Sequence, residues 1–198
     1  MSSHKSGSGR GSLRYGISVA VVTFIIAFAL SAYSGMLVNK LEVWYLAFFL
    51  LALIIFIGIV FDIIGVAVAA ADAAPLNARA SRKLYGAVQA LKLVKKADKV
   101  ASICNDVVGD ISGTLSGSLG AAIAFNLPLA FSAGFDWVAT SLMAGIIAAL
   151  TVGGKAFCKT IAIAKADTII YTVGKVIAFF KDIFSLSFYK NLLKSRKK

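Results

Sequence analysis

The sequence predicts an all-α membrane protein with four transmembrane helices and amphipathic juxtamembrane helices. Three observations carry this expectation. Of the 198 residues, 59% are hydrophobic, against ~45–50% in soluble globular chains, and the mean hydropathy is +0.85. Four apolar runs are long enough to cross a bilayer core, which takes about 20 helical residues at ~1.5 Å rise each. The basic residues lie mostly between and beyond those runs. The formal net charge of +12 therefore reads as membrane flanks and not as a nucleic-acid surface, which would interleave basic and aromatic side chains in one patch.

Residues 1–14 are small, polar and basic and are expected to form a disordered cytoplasmic tail. Their glycines lack the Lys-Ser/Thr ending of a phosphate loop. Residues 15–38 form an extra N-terminal span. The basic start and small-residue stretch also fit a signal peptide, but the apolar run continues past Ser34 to Val38, which favours a retained anchor. Past a short connection, Trp44 and Tyr45 mark a membrane interface. Residues 46–71 make the second span, which contains Asp62 and ends near Asp72. Pro75 is expected to close it, because proline lacks the amide hydrogen a helix interior needs.

Residues 77–99 change texture. Leu84, Ala87, Val88 and Leu91 fall on one helical face, with Arg82, Lys83, Lys92, Lys95 and Lys96 elsewhere. That spacing predicts an interfacial helix on anionic lipid headgroups; the alternative is a solvated basic loop. Residues 102–125 are the third span, although they contain two carboxylates. Asp106 and Asp110 lie one helical turn apart and so share a face. Gly109, Gly113 and Gly117 follow the four-residue step that lets neighbouring helices approach closely. A turn at Asn126-Leu127-Pro128 leads to the fourth span, residues 131–152, with Trp137 near its outer end and Gly153-Gly154 after it. Residues 168–189 carry Lys175, Lys181 and Asp182 and read as a second interfacial helix, with a fifth span as the alternative. Residues 190–198 form a polybasic tail. The main transmembrane domain is expected to span 43–189, with juxtamembrane helices at 77–100 and 168–189.

Taking the loops alternately, Lys40 is the one basic residue left on the far side. The positive-inside rule then places both termini and the 77–100 segment in the cytoplasm.

Chemistry inside the membrane falls to oxygen ligands. Ionisable groups in spans are expensive and usually face a bundle interior or wet cavity. Asp62, Asp72, Asp106 and Asp110 lie in or at the ends of spans, with Asn105, Ser112, Thr114 and Ser116 as neutral oxygens and the Gly153-Gly154 carbonyls beside them. Hard cations such as Mg²⁺ take such ligands, whereas softer metals prefer imidazole and thiolate. The alternative is that Asp106 and Asp110 pair with Lys99, Lys155 or Lys159 and only fix helix register. Lys155 either snorkels to the headgroups, the favoured reading, or turns inward as a built-in counter-ion. His4 is the sole histidine, and Cys104 and Cys158 lack metal or redox spacing, so reduced, structural thiols are expected. No activated nucleophile, paired catalytic carboxylates or cofactor fingerprint stands out, and no enzyme is expected.

The order of these parts resembles the transmembrane domain of the CNNM/CorB/CorC magnesium transporters, over roughly residues 46–180. The family's Ser-x-x-Glu element corresponds to Ala69-Ala70-Ala71-Asp72, and its Gly-Asn to Cys104-Asn105, followed by Asp106. Its Gly-Glu-x-x-Pro-Lys turn corresponds to Gly154-Lys155-Ala156-Phe157-Cys158-Lys159. Gly154 and Lys159 match; Lys155 stands at the family's acidic position, and the proline is absent. The resemblance is to a divergent member lacking the nucleotide-sensing CBS pair, with an added first span. It implies a plasma-membrane homodimer whose subunits each hold an acidic, cytoplasm-facing cavity for Mg²⁺. Asp72, Asn105 and Asp106 would be the ligands, supported by Asp110 and Ser112. A second reading is a non-transporting regulatory or scaffold protein in which Lys155 replaces the cation. A small pore is a third and weaker reading.

Overall fold

The computed structural model describes residues 8–40, 44–126 and 136–195. These residues are almost entirely helical, with short turns between helices and no strand among them. The helices are α1 (Ser8–Lys40), α2 (Trp44–Ala70), α3 (Ala73–Ser81), α4 (Ala87–Val94), α5 (Ala97–Ser102), α6 (Gly109–Asn126), α7 (Asp136–Ala164) and α8 (Ala166–Ser195). A π-helical segment, Ile103–Val108, joins α5 to α6. Four stretches are long and apolar enough to cross a membrane: Gly16–Tyr33, Tyr45–Ala70, Ala97–Ala124 and Thr140–Ala164. The protein is thus all-α, with four candidate spans.

The chain forms two compact units, one comprising Met1–Ile59 with Val107–Gly154, the other Val60–Asp106 with Lys155–Lys198. The first unit is a membrane bundle turned outward. Ala47, Leu51 and Ile55 recur every four residues along α2 and bury against Leu119 and Ile123 of α6 and Ile147 of α7. α1 lies along α6. In its span, α1 is half-buried only at Val19, Thr23, Ala27 and Ser31, a stripe of mostly small residues at the four-residue step of close membrane packing. The large side chains face out instead, among them Phe24, Phe28, Phe49 and Phe56, each more than 60% exposed. A soluble monomer rarely presents apolar patches beyond several hundred Å²; lipid is their natural solvent.

The second unit packs around Ala67 and Val68 of α2, Leu76 of α3, Ala90 of α4, Ala162 of α7 and Ile170 of α8, all fully buried. α4 crosses α8 at glycine. Gly86, held at φ +80°, leaves no room for a side chain, since a Cβ there would stand 2.6 Å from the Lys175 backbone; one on Gly174 would meet Ala90 at 2.7 Å. The Tyr85 hydroxyl donates to Asp182 Oδ2 at 2.8 Å across the same crossing.

Several local expectations change. Residues 8–14, expected to be disordered, continue α1; once an apolar helix is nucleated, each added residue gains a hydrogen bond. Pro75 does not close α2. It sits in the first turn of α3, where amide hydrogens have no intrahelical partner and proline is tolerated. The 77–99 helix is divided into α3, α4 and the start of α5, broken where Lys83 (φ +53°) and Gly86 adopt left-handed backbone. Its buried face is Ala87 and Ala90, whereas Leu84 and Val88 are exposed. Gly153 and Gly154 are not a turn: α7 runs through them to Ala164. In lipid a broken backbone hydrogen bond costs several kcal/mol, more than the ~1 kcal/mol of a helical glycine. α8 extends through residues 190–195 of the expected tail. The close approaches also fall away from Gly113 and Gly117, where an added Cβ would meet nothing within 4 Å; they occur at Gly58 against Ser112, Gly120 against Ile147 and Gly154 against Ile59. The Leu127-Pro128 turn and the start of the expected fourth span lie outside the described residues.

Candidate functional site

Asp62 is the only charged side chain within the second candidate span, Tyr45–Ala70. Its Oδ1 lies 3.6 Å from Lys155 Nζ, with the aspartate side chain 17% and the lysine 26% exposed. Lys155 therefore does not snorkel alone to the headgroups. An isolated charge in lipid is costly, and the nearby carboxylate offers the ammonium a partner. At 3.6 Å the pair is an ion pair without a hydrogen bond, so the carboxylate's lone pairs are not saturated by the lysine.

One turn further along α2, about 4.5 Å at ~1.5 Å per residue, is Gly65. Asn105 fills the space a side chain would take there: a Cβ on Gly65 would lie 2.6 Å from Asn105 Cγ. The Asn105 Oδ1 is shut away from solvent and accepts no hydrogen bond. Leaving a buried acceptor unsatisfied costs ~1–3 kcal/mol. Asn105 reaches this place from the π-helical segment, whose i→i+5 winding is rare and concentrates at functional sites. The shared face expected for Asp106 and Asp110 assumed an α-helical period, which the Ile103–Val108 stretch does not keep.

The other expected ligands have local occupations. Asp72 caps α3, accepting from the Ala74 amide at 3.0 Å, while its own amide donates to Asp167 Oδ1 at 2.9 Å. Asp106 is exposed and accepts from the Ser102 hydroxyl at 2.7 Å. Asp110 is exposed in the first turn of α6, and its carbonyl accepts from Thr114. Ser112 is buried and donates to the Gly109 carbonyl at 2.9 Å; Ser116 donates in turn to the Ser112 carbonyl. These hydroxyls satisfy their own helix. Among the described residues, no three His, Cys, Asp or Glu side chains gather as a metal-holding group.

The sequence-based ligand set omits two residues that the geometry brings forward, Asp62 as the lysine's partner and Gly65 as the asparagine's cradle. Their three-residue spacing inside an apolar run was the available signal. The second unit also holds a feature that the sequence reading does not anticipate. Arg79 of α3 and Lys175 of α8 both sit over the ring of Tyr171, at 4.6 Å and 4.4 Å from its centroid.

Comparison with known proteins adds no relative: no family model matches the chain, nor does any curated protein or solved structure.

Proposed function

We propose that this membrane protein binds or carries a divalent cation, Mg²⁺, in the manner of a CorB-type transmembrane domain. The observation that carries the reading is Asn105, whose Oδ1 is buried without a donor. A carbonyl oxygen in that condition suits a hard cation. Asp62 would supply the charge from the neighbouring turn of α2, and Asp106 is the next anionic oxygen along the chain. Asp72 and Ser112 stand outside this inner set, since their side chains bond to nearby backbone. Lys155 is the competing positive charge that an arriving cation displaces from Asp62. A homodimer in the plasma membrane, with cytoplasmic termini and basic helices on anionic headgroups, completes the proposal; the resemblance and the distribution of basic residues support it.

The Asp62–Lys155 pair also favours the second reading, a scaffold in which the lysine holds the cation's place permanently. Mg²⁺ flux into proteoliposomes separates the two. Transport requires flux in the wild type, less in Asp106→Asn, and half-saturation at lower Mg²⁺ in Lys155→Met. Absence of flux in all three leaves the scaffold.

A further inference from the structure

We infer a phosphate-binding site between α3 and α8, built by Arg79 and Lys175 around Tyr171 and filled by the headgroup of an anionic phospholipid. Two cations from separate helices converge on one aromatic ring, at 4.6 Å and 4.4 Å. The ring's negative face holds each of them, yet it carries no net charge to neutralise either. Neither has an acidic partner among the described residues. The carboxylates on the same elements are otherwise engaged: Asp167 accepts the Asp72 amide, Asp72 caps Ala74, and Asp182 accepts the Tyr85 hydroxyl. Two like charges held together without a counter-ion call for an anion, and guanidinium and ammonium together suit phosphate oxygens.

The surroundings choose the source of that phosphate. α3 begins three residues after the second candidate span ends, so the membrane reading puts Arg79 close to the span's end and within reach of headgroups. On α8, Val176, Phe179, Phe180 and Ile183 are exposed, as are Leu84 just before α4 and Val88 on it. A soluble phosphate has no use for that apolar flank; acyl chains do. The inference rests on the membrane placement of the protein and is independent of cation handling.

The test uses the full chain, delipidated in detergent and then offered phosphatidylglycerol or phosphatidylcholine, with bound lipid counted by native mass spectrometry. Wild type should retain phosphatidylglycerol preferentially. Arg79→Gln/Lys175→Gln should weaken that retention roughly tenfold or more, while Arg79→Lys/Lys175→Arg preserves it. Arg10→Gln/Arg14→Gln removes equal charge elsewhere and should change it little. Equal losses from both glutamine pairs would mean diffuse attraction and would overturn the site, as would loss in the charge-preserving variant. Displacement of the lipid by millimolar inorganic phosphate would overturn the lipid as occupant. Because the readout needs no Mg²⁺ gradient, failure here leaves the transport reading untouched, and absence of flux leaves this one untouched.

Discussion

Asn105 separates a ligand from a packing residue by one measurement. If its buried oxygen awaits a cation, Asn105→Ala removes an unsatisfied acceptor, and the Mg²⁺-free variant should melt at or above the wild-type temperature. Mg²⁺ at a hundred times its dissociation constant should then stabilise wild type by ~2.7 kcal/mol and the variant not at all. Lys155→Met strands Asp62. Breaking a fully buried pair costs ~3–5 kcal/mol, but both partners retain solvent contact, so a loss of about 1–2 kcal/mol is expected after screening. Asp62→Asn/Lys155→Met should recover most of it, as read by a double-mutant cycle of thermal unfolding in detergent. Tyr85 tests the surface of the same unit. Its hydrogen bond to Asp182 holds the phenol above the usual tyrosine value, with burial and the aspartate's charge adding to the shift. A raised folded value stabilises the protonated form. The link is therefore fully present below about pH 10 and is lost as pH climbs through the raised value. Tyr85→Phe should abolish that alkaline component of unfolding, and tyrosinate absorbance should show one late-titrating phenol missing.

At the scale of elements, the adjacent glycines of α7 act oppositely. Gly153 would admit a Cβ into open space, whereas one on Gly154 would stand 2.5 Å from Ile59 Cδ1. Gly153→Ala should stabilise by about 0.5–1 kcal/mol through the unfolded state. Gly154→Ala should gain less or lose, depending on how far the Ile59 methyl yields; thermal unfolding of the two variants checks the difference. The four apolar runs were legible because hydropathy over some twenty residues is a strong signal. The course of α7 through its glycine pair was not, because a soluble-protein habit reads Gly-Gly as a stop and lipid penalises the open backbone. The division of residues 77–99 depends on Lys83 adopting φ +53°, a conformation lysine does not announce. The π-helical segment was likewise hidden: its winding has no composition of its own, although it is what carries Asn105 toward Gly65. Asp72 reads as a ligand through the resemblance and its place at the end of an apolar run, where a helix-capping aspartate looks the same in sequence.

For the whole molecule, the exposed Phe, Ile and Leu side chains and the basic residues beyond the spans describe one object suited to a bilayer. If all four candidate spans cross, both ends emerge on one side, and the proposed orientation, from the lysine and arginine bias, makes that side the cytoplasm. Reporter fusions should be active at both termini in the cytoplasmic format, while a tag beside Lys40 reads the opposite side. The Asp62–Lys155 pair also has a consequence for biosynthesis. Asp62 leaves the ribosome roughly ninety residues ahead of its lysine, several seconds or more at ~5–20 residues per second. Through that interval the nascent second span must enter the translocon's lateral gate bearing an aspartate whose mate is not yet synthesised. The length of its apolar run, free of every other charge, supplies the surplus insertion energy that lets the hairpin wait.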